Sequence, residues 1–304
     1  MIFLYFIKTL ILNMNNSLQL IDKIKFRLIY SFFISDKIKS FDDHISYPIH
    51  FLCMNECFSW NNINNKPLFD ECIFIIQASD KNNPLINELK HKLSTYTYNI
   101  KNISFIIEEN DPYEREGGIF KKYVIDKFND YDGMTLFFHN KGLNSDYGST
   151  IDDWSSYWII GEYFYLMTFN KEFFGNFLNS NKLIYGWPYM HDNYHTQWLI
   201  GGNCFWMKCK EIKKYIEDNN LQTNYISTKC ISEFYFPEIL NKELIDYPNS
   251  NIIKDYTIQS YYEPSINNKF NEYLQKITPY DDYVKFNNFY NYIINKYKEY
   301  INNI

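Results

Sequence analysis

His139-Asn140-Lys141-Gly142 is the stretch whose residue types and spacing could do chemistry. It closes a short apolar run, residues 134–138 (MTLFF), with the length and composition of a buried strand in an α/β sheet. Such folds place ligand groups at the carboxyl edge of the sheet, on a turn that glycine can close. A lysine delivered there can meet a phosphate, and a histidine beside it can donate or accept a hydrogen bond. The chemistry this suits is the handling of a diphosphate. When a bond to one breaks, negative charge develops on the leaving oxygen, and cationic groups or a metal must stabilise it. The plainer alternative is a strand-end turn with a solvated lysine; the strand context and the turn glycine favour the first reading.

A second candidate is Gly201-Gly202-Asn203 with Trp206. Glycines let a backbone approach a ligand closely, Asn203 can hydrogen-bond hydroxyls in both senses, and an indole offers a flat apolar face. A strand bend with Trp206 in the core fits the same residues. Glu233, in Ser232-Glu233-Phe234, is a carboxylate able to take a proton from a hydroxyl, and equally a helix N-terminal acid. Asp130-Tyr131-Asp132 reads as a helix-to-strand turn, with Asp130 and Asp132 as metal candidates. Asp152-Asp153 heads a helix, where carboxylates suit the dipole; Asp153 is the third metal candidate. His191, Asp192 and His195 have a metal cluster's composition but lie in a polar loop, and His44, His50 and His91 carry no partner pattern. Action with Mn²⁺ or Mg²⁺ and metal-independent action both stay open.

The elements that must position these residues alternate. Residues 47–54 (YPIHFLCM), 69–78 (FDECIFIIQA) and 103–107 (ISFII) read as strands, followed by the strand at 134–138. Helix-like segments at 87–93 and 116–128 lie between them. That alternation implies βαβ units and a mainly parallel sheet. Beyond Gly142 the sequence predicts a helix over 151–168, a strand at 182–186, extended segments over 197–208 around Gly201-Gly202, and a helix from Glu211 to Asn219. A segment at 232–240 reads as helix or turn. A final helix over 280–303 carries Phe286, Phe289, Ile293 and Tyr297 at helical spacing, the pattern of a docking face. Residues 1–40 alternate weakly, with Ile24, Phe26, Leu28 and Tyr30 on one side, as a strand or the flank of a helix would.

The whole chain excludes several classes. Its 304 residues are 46% hydrophobic and 20% aromatic, too apolar for disorder and long enough for a large core. A formal charge of −6 argues against a dedicated nucleic-acid binder. The six cysteines form no CxxC pair and no zinc spacing, and suit reduced cytoplasmic thiols in a core. The first twelve residues, MIFLYFIKTLIL, fall short of the ~20 apolar residues a membrane span needs and are interrupted by Lys8. They read as an amphipathic lead-in or the result of a start upstream of Met14, with a weak anchor as the alternative; no firm membrane span is expected. Five of the six tryptophans lie between positions 154 and 206, so the aromatic weight is contiguous.

In order, Tyr113-Glu114, the helical 116–128, His139-Asn140-Lys141-Gly142, Trp154 and Gly202-Asn203-Cys204-Phe205-Trp206 together resemble a family of glycosyltransferase-like proteins. These occur in capsule-type gene clusters and large DNA viruses and have the nucleotide-diphospho-sugar transferase (GT-A) fold. The resemblance covers about residues 47–240. Asn140 stands where the family has Thr, and the GT-A Asp-x-Asp metal motif is replaced at its expected place by His139–Lys141. What the resemblance implies is an α/β, GT-A-like, mainly parallel central sheet flanked by helices. It divides the chain into a lead-in (1–40), the nucleotide-sugar domain (41–245) and a C-terminal helical extension (246–304). The implied activity is transfer of a sugar from a nucleotide-diphosphate donor to a glycan or protein acceptor. Lys141 and His139 would neutralise the diphosphate, helped by Asn140, Gly142 and Glu114. Gly202, Asn203 and Trp206 would shape the sugar pocket, Trp154 would line or buttress it, and Glu233 would be the base. The alternative is a non-catalytic glycan-binding or scaffold protein on the same fold; a His/Asp phosphodiesterase or nuclease is the third reading.

Overall fold

The computed structural model describes residues 24–60, 67–111, 115–127, 130–140, 154–167, 177–178, 180–186, 189–192, 197–200, 204–221, 244–246 and 280–303. The first half contains β1 (Phe26–Phe33), α1 (Ser46–Trp60), β2 (Glu71–Ala78), α2 (Leu85–Tyr96), β3 (Asn102–Glu109), α3 (Arg115–Ile119) and β4 (Met134–His139). The second half contains α4 (Trp154–Glu162), β5 (Ile184–Gly186), β6 (Tyr189–Asp192), β7 (Gln197–Ile200), β8 (Phe205–Lys208), α5 (Cys209–Asp218), β9 (Ile245–Asp246) and α6 (Tyr280–Ile301). Two α-helices widen at their ends into π-helix, α3 over Phe120–Lys127 and α4 over Tyr163–Met167.

One seven-stranded sheet, ordered β3-β2-β1-β4-β8-β5-β9, organises the chain, and β6 and β7 form a separate antiparallel hairpin. The sheet is mixed. β3, β2, β1 and β4 run parallel, β8 is antiparallel to both β4 and β5, and β9 is parallel to β5. The reversal has a simple cause: parallel neighbours need a crossover, whereas antiparallel neighbours do not. Between β5 and β8 the described chain makes only the β6–β7 hairpin, so β8 returns alongside β5 in the opposite sense. The hairpin also places His191 and Asp192 in a strand rather than at the start of a loop.

Alternation along the strands sorts side chains onto two faces. Phe26, Leu28, Tyr30 and Phe32 of β1 point into the larger core with Leu136 and Phe138 of β4, covered by α1, α2, α4 and α6. Ile29, Ile73, Ile75, Phe137 and Phe205 point the other way, under Phe120, Tyr123 and Val124 of the π-helix and Ile212 of α5. Both faces are covered, which is why the central strands read as continuous apolar runs. The larger core is aromatic: the Phe32 and Phe51 rings stack 5.9 Å apart, and Tyr30 stacks on Phe138 at 5.3 Å. Three of its buried polar groups meet one another, with the Tyr30 and Tyr163 hydroxyls 2.9 Å apart and His50 Nδ1 3.2 Å from the latter. The α6 helix docks here, burying Phe286, Phe289 and Ile293, while its tyrosines 292 and 300 donate to Glu56 and Asp42.

Two sequence expectations are corrected here. Residues 47–54 form the first half of α1, not a strand. Tyr47, Ile49, His50, Cys53 and Met54 are all fully buried, so the helix is enclosed nearly all round and shows no polar face. A short apolar run of that kind cannot be told from a strand by periodicity. Residues 26–33, placed in a lead-in by the sequence reading, are the central strand of the parallel half. The described cysteines 53, 57, 72, 204 and 209 are buried and form no disulfide. Among the described residues no helix is long and apolar enough to cross a membrane.

Candidate functional site

From β1 the winding steps outward through β2 to β3, then returns to place β4 on the other side of β1. The winding therefore reverses between β1 and β4, and open α/β sheets bind ligands in the crevice beyond the carboxyl ends of the strands at such a point. His139 is the last residue of β4, and its register partner on β1 is Ser31.

Four polar side chains share the face of the sheet opposite the larger core at this rim. Glu108 of β3, Gln77 of β2, Ser31 of β1 and His139 of β4 all have the parity that points away from that core. Gln77 Nε2 donates to Ser31 Oγ at 2.6 Å, with both residues buried. At the outer end, Glu108 accepts from Lys122 Nζ at 2.7 Å and from the Tyr123 hydroxyl, which ties β3 to the π-helix. Burial pushes the Glu108 carboxyl up, but those two hydrogen bonds outweigh it and hold the group below its usual range. The same carboxylate raises Lys122.

His139 is 9% exposed, and Asn140 is 5% exposed. The Asn140 amide clamps the end of β1: Oδ1 accepts from Phe33 N at 2.7 Å, and Nδ2 donates to Phe33 O at 2.8 Å. With Asn140 N donating to Ser31 O at 3.2 Å, this prolongs the β1–β4 ladder past the last strand residue. The sequence reading gave Asn140 to the ligand; in the structure its amide is engaged by the backbone. This rim also contains a motif that the sequence reading passed over. Ser-Asp-Lys follows β1 as residues 35–37 and follows β2 as residues 79–81, and Ser79 Oγ donates to Asp36 Oδ2 at 2.6 Å.

Trp206 is not at the site. It is fully buried on the other face of the sheet, its ring stacked on Phe69 at 5.7 Å and its Nε1 donating to Leu166 O at 2.7 Å. An indole whose face is taken by a phenyl ring and whose N–H is taken by a carbonyl has nothing left to offer a sugar. Asp130 and Asp132 are also elsewhere, in the turn before β4 and thus at the opposite rim. Their side chains are 81% and 85% exposed, and each is neutralised by a lysine of α5, Lys213 and Lys210 respectively. Trp154 opens α4. Lys141, Gly142, Glu114, Gly202, Asn203, Glu233, Asp153 and His195 lie outside the described residues. Among the described residues no group of three or more His, Cys, Asp or Glu side chains could hold a metal ion. A cavity of about 300 Å³ opens between the π-helix and α5, lined by Val124, Met207, Ile212 and Lys213. It lies toward the amino end of β4, since Met207 is the register partner of Thr135.

No protein-family model and no curated protein matches the chain. Ser31 and Gln77 give little sign in the sequence because each is one polar residue among apolar neighbours near the strand end (YSFF, IIQA), and Glu108 because the Glu108-Glu109 pair reads as the turn after the strand. The legible signal lies in β1 and β2: in a strand buried on both faces, a polar residue near the carboxyl end needs a partner.

Proposed function

We propose that this chain is a GT-A-like glycosyltransferase that moves a sugar from a nucleotide-diphosphate donor to a glycan or protein acceptor. The observation that supports this most is the position of His139 and Asn140, in the fork between the carboxyl ends of β1 and β4 where the winding reverses. A parallel half-sheet continued by an antiparallel strand is compatible with that architecture.

In this reading Lys141, one residue beyond Asn140, supplies the cation that meets the diphosphate, and Gly142 closes the turn. His139 donates to the leaving oxygen, held at the strand end by the β1–β4 ladder. Asn140 fixes the turn's geometry through Phe33 rather than touching donor. Glu114, Trp154, Gly202 and Asn203 shape donor and sugar pockets, and Glu233 takes the acceptor proton. Mn²⁺ or Mg²⁺ would share the neutralisation of the diphosphate; whether one takes part is decided by assay. Reduced, buried thiols suit a cytoplasmic setting.

The near-complete covering of His139 and the engagement of Asn140 favour a second reading, a non-catalytic glycan-binding or scaffold protein on this fold. One panel separates the two. Donor turnover and thermal shift are measured with UDP-, GDP- and CMP-sugars, with and without Mn²⁺. Turnover that Lys141→Ala abolishes while the melting temperature holds supports the transferase. Glycan binding without nucleotide binding supports the second reading. Hydrolysis of simple phosphodiesters, or no response to any donor, overturns the first.

A further inference from the structure

β3 is the edge of the sheet, and among the described residues no strand pairs with its outer side. It is eight residues long and half-buried through its middle, it carries no proline, and its one charge directed onto a covered face, Glu108, is taken up by Lys122 and Tyr123 on the β2-bonding set of residues rather than on the outer edge. Its backbone parity follows from one hydrogen bond. The Asn110 amide donates to Ala78 O at 3.1 Å, so even-numbered residues aim their N–H and C=O groups at β2. The odd-numbered residues, 103, 105 and 107, therefore aim theirs outward. Those same residues put Ile103, Phe105 and Ile107 on one face, packed against the rim of the larger core, with exposed Lys101 and Glu109 at either end.

We propose that the outer edge of β3 pairs with β3 of a second copy of this chain, antiparallel about a two-fold axis at Phe105. An isologous contact must be self-complementary, and this one is. Phe105 faces its own copy, Ile103 faces Ile107, and Lys101 faces Glu109 twice, once on each side of the axis. Outward-facing backbone groups meet outward-facing groups only in such even registers. A slip of two residues one way sets Lys101 against Ile107, and a slip the other way gives Lys101 Asp111 in place of Glu109 but sets Glu109 against Ile103. The backbone parity and the end charges thus choose one register. The contact is a strand edge with its flanking side chains, so the dimer is weak and concentration-dependent.

Sedimentation of the full chain across a concentration series tests this. A monomer–dimer equilibrium is expected, and Glu109→Lys should weaken it by about tenfold or more by turning two attractive cross-strand pairs repulsive. Lys101→Glu combined with Glu109→Lys should restore it, a rescue that general damage to the fold would not give. Ile103→Pro removes an outward donor and no β2 ladder bond, so it should abolish the dimer while the circular dichroism spectrum is kept. If that variant unfolds, the charge-swap series decides alone. Hydrogen exchange should show the Ile103, Phe105 and Ile107 amides protected more at high concentration than at low. A chain that stays monomeric throughout overturns the proposal, even if it binds some other strand. So does a dimer that Glu109→Lys leaves unchanged.

Discussion

The two rims of the parallel half-sheet hold the same four strands by different means. At the amino rim the fastenings are charged. The Arg27 guanidinium donates to Glu71 at 2.6 Å and lies 3.7 Å over the Tyr131 ring, while Asp130 and Asp132 pair with lysines of α5. The backbone itself is pinned there, because a Cβ on Gly133 would run into the Lys25 carbonyl and the Tyr131 ring. At the carboxyl rim β1 and β4 are fastened by an amide, Asn140 on the Phe33 backbone, while Gln77 on Ser31 and Ser79 on Asp36 tie β2 to β1. One rim has matched its charges pairwise. Where β1 meets β4 the other is knit by amide dipoles, which position the strand ends, and its carboxylates, Asp36 and Glu108, lie toward β2 and β3. A junction held by amides in this way can receive an anion without first giving up a salt bridge.

Substitutions can break or sharpen this contrast. The largest effect is expected at the amino rim, where Gly133→Ala forces backbone against backbone and should cost about 3 kcal/mol by chemical denaturation. At the carboxyl rim, Asn140→Ala leaves the Phe33 N–H and C=O without their side-chain partner and should cost about 2 kcal/mol. If Asn140→Ala instead left stability unchanged and weakened ligand binding alone, the amide would belong to the ligand after all. Ser31→Ala strands the buried Gln77 amide and should cost about 1 kcal/mol, while adding Gln77→Met should recover part of the loss in a double-mutant cycle. Glu108 is held below its usual range, so the stability it contributes is complete above the ordinary glutamate pKa and is lost as pH falls through the depressed folded value. Glu108→Gln should accordingly flatten the acid limb of a stability–pH curve. The smallest effect is expected from Asp130→Asn with Asp132→Asn: exposed pairs of this kind are worth within about 0.5 kcal/mol, and salt should erase even that.

Much of this fold was legible because β2 and β4 are buried on both faces and β3 keeps an apolar run along its half-buried middle. The apolar runs at 69–78, 103–107 and 134–138 became β2, β3 and β4, and the segments between them became helices. The same property misled at Tyr47–Met54, where a helix enclosed on every side has no periodicity to read. The direction of β8 was not legible either, since a strand of four residues shows its apolar sides alike in parallel and antiparallel pairing. As for the site, the strand end at His139 could be read, because polarity changes abruptly there. The row from Glu108 to His139 could not, because its members lie far apart in sequence and meet only through the register of four strands.

The last helix of the chain has a consequence for synthesis. Its 22 residues close the flank of the larger core, setting Phe286 against Phe164 at 5.6 Å and Tyr300 onto Asp42 near the other end of the sequence. A ribosome that has delivered every described strand of the sheet therefore still holds a nascent domain whose aromatic flank stands open to water. Aggregation during translation should be decided in that interval, and a holdase chaperone that shields Phe164 and Tyr165 would have its greatest effect there.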